Sequence, residues 1–126
     1  MDGAAVFNFT MEDVPPQIEE ILSFSGNTRD SIAHFLFHQP NPFILKQMAD
    51  KMKIPQEKLP NNIVSLFGNC SSVTIPLNIA FNCGEQLQRE TRRVCFSGFG
   101  VGLTWISMVM DLGPLKVCKV VDYEST

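Results

Sequence analysis

Three short stretches of the chain combine residue types and spacings that could do chemistry. Residues 38–41 read His-Gln-Pro-Asn, residues 68–72 read Gly-Asn-Cys-Ser-Ser, and residues 98–105 carry glycine at every second position of their first five. A neutral imidazole and an amide can both donate a hydrogen bond, so His38 and Asn69 are the residues of the first two stretches that could do so without carrying charge. Taken singly, each is explained more simply as a structural residue, at a strand end or as a helix cap.

The glycine-rich stretch has the look of a nucleotide-binding loop, but its surroundings exclude that function. A dinucleotide-binding glycine loop must open a helix, whose N-terminus then holds the pyrophosphate. Residues 103–110, Leu-Thr-Trp-Ile-Ser-Met-Val-Met, predict a strand instead. Gly98, Gly100 and Gly102 are therefore predicted to form a turn between two strands, one at 94–96 and one at 103–110.

The elements that must position these stretches follow from the apolar pattern. Residues 4–25 predict a helix in two pieces, and 33–37 predict a buried strand that ends just before His38. A helix then begins at Asn41-Pro42, where Asn caps and Pro is favoured at the first position. Residues 53–62 predict a loop or a short turn of helix, and residues 72–82 predict a helix that stops at Gly84. The residues past Gly113-Pro114 predict an edge strand or a tail.

Composition limits the classes of function. A chain of 126 residues fits one domain, since domains usually have roughly 100–150 residues. The net charge of −3 argues against a nucleic-acid partner, which would require a basic surface. No apolar run reaches the about 18 residues that span a membrane, and the N-terminus lacks the basic start of a signal peptide. The four separated cysteines favour reduced thiols over a disulfide scaffold or zinc site, so we expect a soluble cytoplasmic domain without a metal.

Together, and in this order, the three stretches resemble the H-Q-A-N, G-N-T-S and G-F-G-x-G-L-T-W signatures of the ketoacyl-carrier-protein synthase III family. The opening Asp2-Gly3 and the following Val6-Phe7 also resemble the start of that family's C-terminal half. The resemblance covers residues 1–126 as one domain, except for a tail past about Leu112. It implies an α/β fold, namely one half of a thiolase-like αβαβα sandwich, with helices and a mixed sheet of about five strands.

The resemblance also implies a reaction, the decarboxylative Claisen condensation that joins an acyl-CoA primer to malonyl-carrier protein in fatty acid biosynthesis. It implies no cofactor. By motif match, His38 and Asn69 are the catalytic donors that stabilise the thioester oxygen. Phe99 and Gly100 belong to the turn beside the acyl thioester, and the backbone N–H of Val101 contributes to the acyl oxyanion hole.

Four departures from the family pattern qualify these roles. Pro40 replaces the usual Ala, Val101 stands where Gly is frequent, and Phe43 stands where a basic residue often helps to dock carrier protein. The family's nucleophilic cysteine lies in its N-terminal half, and none of the four cysteines here matches that motif. Cys70 is the nearest candidate, at a position where the family has a small hydroxyl residue. We therefore expect the chain alone to be an inactive acyltransferase domain.

Two alternatives to a catalytic half remain open, a non-catalytic thiolase-fold scaffold or accessory subunit, and a small hydrolase that uses Cys70. The partners implied by the family are the two substrates and either an N-terminal half or a second copy of the chain, which gives a dimer. Without its partner, the chain should expose the apolar face that forms this contact. The expected contributors are the helix from Val73 to Phe81 and the helix that bears Met48 and Met52.

Overall fold

The computed structural model describes residues 2–100 and 102–124. Two helices begin the chain, α1 (Gly3–Glu12) and α2 (Val14–Phe24), so the predicted helix in two pieces is confirmed. The Asp2 carboxylate caps α1 by accepting hydrogen bonds from the amides of Ala4 (3.0 Å) and Ala5 (3.3 Å). Prolines lie in the first turn of α2, where the helix has no use for their missing N–H groups.

The next elements are strand β1 (His34–Phe37) and helix α3 (Pro42–Met52), both where the sequence predicts them. Asn41 caps α3 as expected, because its side-chain oxygen accepts a hydrogen bond of 2.7 Å from the Phe43 amide. The helix ends at Lys53 in the left-handed conformation. The predicted loop that follows contains one short 3₁₀ turn, Gln56–Lys58.

Helical segments then follow one another closely: α4 (Ile63–Phe67), a 3₁₀ turn (Ser71–Val73), α5 (Thr74–Asn78), a π-helical turn (Ile79–Cys83) and α6 (Gly84–Arg89). The prediction that Gly84 ends this helix was wrong. Gly84 has ordinary helical angles, and the helical course continues through it to Arg89. Its lack of a side chain serves a distant contact, because an added Cβ would lie 2.3 Å from the carbonyl oxygen of Cys118.

Strands β2 (Arg92–Gly100) and β3 (Thr104–Leu112) complete a mixed sheet in the order β1-β2-β3. β1 pairs with β2 in parallel, and β2 pairs with β3 antiparallel. The described residues form three strands rather than the expected five or so. Residues 113–124 add no strand, because they run along α6: the Leu115 amide donates to the Leu87 carbonyl (2.6 Å), and the Gln88 side chain donates to the Cys118 carbonyl (3.1 Å).

Helices pack on both faces of the sheet. One face carries α1, α2 and α3, with a core that includes Phe9, Ile18, Phe35 and Met48. The other face carries the α5–α6 layer, whose core includes Leu36, Cys83, Leu87 and Val94. No helix in the described ranges is long and apolar enough to cross a bilayer.

The apolar surface differs from the one expected from the sequence. Met48 and Met52 are 0% and 3% exposed and belong to the core, so the helix that bears them does not present these two side chains on an apolar face; α3 exposes Phe43 instead. Val73 and Phe81 are exposed, as predicted. An exposed apolar surface that the sequence did not predict lies on β3, where alternate residues point to one face of the sheet. We call this the β3 open face, formed by the exposed side chains of Ile106, Met108 and Met110.

Candidate active site

His38 lies immediately after β1, where the parallel pairing with β2 continues for one more residue. Its amide donates to the Ser97 carbonyl at 2.8 Å, which extends the β1–β2 ladder beyond the Phe37–Ser97 pair. This register brings the imidazole against the ring of Phe99, two residues further along β2. The ring centroids are 5.6 Å apart, and the rings meet edge to face at 77°. The structure therefore places His38 at the end of the sheet, beside the glycine turn.

Burial controls the charge of His38. The side chain is half-buried, and this burial lowers the pKa of the imidazole below its ordinary value of 6.5. A lowered pKa keeps the ring neutral near pH 7, and the neutral ring still has one N–H that can donate a hydrogen bond to a developing oxyanion. Within the described residues neither ring nitrogen has a hydrogen-bond partner, so both nitrogens are available. His34, in contrast, has a structural contact, because its Nε2 lies 2.6 Å from Oε1 of Gln86.

Gln39 is a fully buried polar residue that the sequence analysis did not single out. Its backbone amide donates to the Thr74 hydroxyl at 3.2 Å, and its side-chain oxygen accepts from the Ile63 amide at 3.1 Å. Its side-chain nitrogen donates to the carbonyl of Pro60. The residue next to His38 is thus tied to both α4 and α5. In the sequence, only its place in the His-Gln-Pro-Asn motif indicates that Gln39 is important.

Asn69 lies on the exposed loop between α4 and α5. Its side-chain oxygen accepts from the Ser71 amide at 3.0 Å, an arrangement that leaves the amide NH₂ free to donate. Gly68 and Ser71, on either side, both have positive φ (78° and 51°), which bends the loop sharply. In the part of the chain that the structure describes, no hydrogen bond joins Asn69 to His38. The structure brings together His38 and Phe99.

Only part of the glycine stretch lies in the turn of the β2–β3 hairpin. Gly102 is in the turn, as predicted, but Gly98 and Gly100 lie within β2, so the prediction that they belong to the turn was wrong. The last residue pair of the ladder is Gly100 with Thr104. Gly102 has φ of 132°, and an added Cβ would lie 2.7 Å from the Thr104 hydroxyl, so glycine is required there. Gly100 has open space around its α-carbon, and Phe99 is 8% exposed. Val101, the expected backbone donor, lies outside the described residues.

The cysteines have the environments of unreactive thiols in two of four cases. Burial, with a further contribution from Cys118, raises the pKa of Cys83 to about 11. Burial alone raises the pKa of Cys95 to about 12. Cys70 is half-buried, and its sulfur contacts the carbonyl oxygens of Gly68 (3.5 Å) and Phe67 (3.7 Å). No group of three or more His, Cys, Asp or Glu side chains in residues 2–100 and 102–124 is arranged to hold a metal ion.

Comparison with known proteins gives a consistent result. The sequence pattern of the family described as "3-Oxoacyl-[acyl-carrier-protein (ACP)] synthase III C terminal" matches residues 22–112. A beta-ketoacyl-[acyl-carrier-protein] synthase III of Streptococcus pyogenes is 38% identical over 114 residues. That match covers 89% of this chain but 35% of the relative. The chain thus spans about a third of the length of the curated relatives that it matches.

Solved structures agree with the family match and with the fold. A 3-oxoacyl-(acyl-carrier protein) synthase from Burkholderia xenovorans superposes with a TM-score of 0.90 at 41% identity, over 94% of this chain and 34% of that one. The synthase III from Thermus thermophilus gives a TM-score of 0.83 at 30% identity, over 91% and 36%. The expected thiolase-like α/β fold is therefore confirmed, with three strands in the mixed sheet. The chain belongs to the 3-oxoacyl-[acyl-carrier-protein] synthase III C-terminal family.

Proposed function

We propose that this chain is the C-terminal catalytic part of a condensing enzyme of fatty acid biosynthesis, and that it supplies His38 and Asn69 as two neutral hydrogen-bond donors. The observation that carries the proposal is the position of His38. The imidazole is half-buried, neutral near pH 7, free of hydrogen bonds within the described chain, and in contact with Phe99 of the glycine turn. Such a donor suits an oxygen that becomes negative during a reaction.

In the proposed reaction, the carbon–carbon bond of a malonyl thioester breaks and carbon dioxide leaves. The electron pair that remains is shared with the thioester oxygen, which becomes an enolate oxygen. Hydrogen bonds from the His38 ring and the Asn69 amide stabilise that charge. The carbanion then attacks the carbon of an acyl thioester, and the carbon–sulfur bond breaks with its electrons on the departing sulfur.

The acyl group in this proposal is held by a cysteine in another polypeptide segment. Cys83 and Cys95 have raised pKa values, which disfavours the thiolate that such chemistry needs. Phe99 and Gly100 would line the space near the acyl thioester, and the Val101 amide would donate to its oxygen. The substrates would be an acyl-CoA primer and malonyl-carrier protein, and the reaction would take place in the cytoplasm.

The partner in this proposal is an N-terminal half of the thiolase-like fold, or a second copy of this chain. Two findings support a partner: the chain matches 35% of its curated relative, and the β3 open face presents Ile106 at 72% exposure. Monomeric proteins rarely leave contiguous apolar side chains uncovered in this way. A non-catalytic scaffold is the second candidate, since the buried Cys83 and Cys95 are poor nucleophiles.

A reconstitution experiment tests the proposal. The chain is co-expressed with the segment of the Burkholderia xenovorans relative that it does not match, and that relative's own C-terminal segment serves as positive control. The purified assembly is assayed for condensation of labelled acetyl-CoA with malonyl-carrier protein. Activity that disappears in the His38→Ala variant supports the proposal. Co-purification without condensation favours the scaffold, and failure to co-purify contradicts the proposed partner.

A further inference from the structure

Five polar side chains lie on the segments that meet at Gln39, the residue after His38. We call this group the amide network; its members are Gln39, Asn62, Thr74, Asn78 and Asn82. Gln39, Thr74 and Asn78 are essentially buried, with exposures of 0%, 2% and 0%. Buried polar side chains are costly unless their hydrogen bonds are made, so a group of this size is a specific feature of the fold.

The hydrogen bonds of the network fall into two sets, one among the three asparagines and one around Gln39, and the two sets are joined through α4 and α5. Asn62 and Asn82 exchange two reciprocal hydrogen bonds, both of 2.9 Å. Asn82 also donates to the side-chain oxygen of Asn78 at 2.7 Å. Asn78 lies one helical turn after Thr74 on α5, and Thr74 accepts from the Gln39 amide. The backbone amide of Ile63, the residue after Asn62, donates to the side-chain oxygen of Gln39.

Gln39 is central to the network because it is hydrogen-bonded to both ends of residues 63–74, the segment that carries Asn69. The segment begins at Ile63, the first residue of α4, and ends at Thr74, the first residue of α5. Both of these residues are hydrogen-bonded to Gln39, at 3.1 and 3.2 Å. A loop whose two ends are fixed to one buried residue loses much of its conformational freedom. Gln39 is also covalently joined to His38.

We infer that Gln39 is a positioning residue that holds the Asn69 loop in a fixed place relative to His38. It does not touch the reacting atoms itself. The hydrogen bonds among Asn62, Asn78 and Asn82 also join the start of α4 to the end of α5. The side-chain nitrogen of Asn78 is buried and has no hydrogen-bond partner in the described chain. Burial of an unpaired donor costs free energy, so the position of Asn78 is a specific feature of this region. This inference rests on the proposed function only for what the two donors do.

The test uses nuclear magnetic resonance on the full 126-residue chain and needs no catalytic activity. Two variants remove the anchors with little change in shape, Gln39→Leu and Thr74→Val. The matched control is Gln56→Leu, because Gln56 is an exposed glutamine whose side chain also makes two hydrogen bonds, to Lys46 and Asp50. A second control, Ile18→Val, destabilises the core on the other side of the sheet.

The expected result in Gln39→Leu is that hydrogen exchange of the Ile63 amide becomes at least about tenfold faster, because a buried hydrogen bond is lost. In both variants the signals of the Asn69 side-chain amide and the Ser71 amide shift or broaden. The nuclear Overhauser contacts between His38 and Phe99 persist, since the β1–β2 ladder holds them. Both controls leave the Asn69 and Ser71 signals unchanged.

Unchanged Asn69 and Ser71 signals in Thr74→Val would overturn the inference, as would the same changes in Ile18→Val. Thr74→Val decides the matter even if Gln39→Leu does not fold, because it removes one hydroxyl group and keeps the side-chain volume. The outcome is independent of the proposed function. A loop that loosens as expected leaves the positioning role intact even if a reconstituted enzyme keeps its rate without His38.

Discussion

The β3 open face gives a prediction about association that can be worked out from exposure. Ile106 and Met108 are 72% and 49% exposed, and they project from the same face of the sheet. Complete burial of such a side chain stabilises a complex by about 1.5–3 kcal/mol, so covering the exposed fractions of both is worth about 2–3 kcal/mol per copy. We expect the double variant Ile106→Thr/Met108→Thr to lose about 2 kcal/mol of this, since threonine keeps one methyl group.

Because 1.4 kcal/mol corresponds to a factor of ten, the double variant should bind a different partner about 30-fold more weakly. In a two-fold homodimer both copies contribute the face, so self-association should weaken by roughly several hundredfold. Sedimentation equilibrium of the 126-residue chain at micromolar concentration measures the second quantity directly. Threonine retains strand propensity, so the sheet itself should stay folded.

The matched control is Val117→Thr/Val121→Thr, which alters two side chains of similar exposure, 71% and 69%, on the C-terminal tail. If any exposed apolar residue served equally well, the control would weaken self-association as much as the face variant does. Equal dissociation constants for the two variants would refute this account of the β3 open face. A chain that is monomeric at every concentration tested would do the same for self-association.

Three further predictions concern the thiols, the histidine and the tail. At pH 8 we expect iodoacetamide to modify Cys70 and Cys118 well before Cys83 and Cys95. A pKa of about 11 leaves only about one Cys83 side chain in a thousand as thiolate. Early modification of Cys95 would contradict its burial. Since burial lowers the pKa of His38 in the folded state, stability should fall as the pH drops through 6.5, and His38→Gln should reduce that slope, as urea unfolding at several pH values would show. Gly84→Ala should displace the tail and speed the alkylation of Cys118, because the new Cβ would meet the Cys118 carbonyl at 2.3 Å; Gly3→Ala, with nothing within 4 Å, is the control, and equal rates would argue against that contact.

Local pattern predicts most of this fold. The apolar spacing of residues 14–22, the Asn41-Pro42 start and the run before His38 each identify an element that the structure contains. Contacts between distant residues account for the failures. Gly84 was expected to end a helix, but its missing side chain makes room for Cys118, 34 positions further on. The helix that bears Met48 was expected to contribute to an exposed apolar face, but Met48 lies in a core shared with residues of α1 and α2, which the pattern of its own helix does not identify.

The same distinction applies to the candidate site. Motif order identified His38, Asn69 and the glycine turn, and the strand register explains why His38 meets Phe99. Gln39 was missed because its partners, Pro60, Ile63 and Thr74, lie 21, 24 and 35 residues away. No local periodicity reports such bonds. The convergence of Asn69 with His38 on one oxygen stays a prediction, because two donors to a common oxygen need not bond each other.

The most direct test of the proposed donors is the rate of malonyl-thioester decarboxylation in the assembly reconstituted with the Burkholderia xenovorans segment. Removing one oxyanion donor typically lowers a rate by about 10²–10³-fold, so His38→Ala and Asn69→Ala should each show a loss of that order. Both variants should still co-purify with the partner segment, because neither side chain lies on the β3 open face. Rates for both variants within about threefold of the unaltered chain would contradict the claim that these two side chains stabilise the oxyanion.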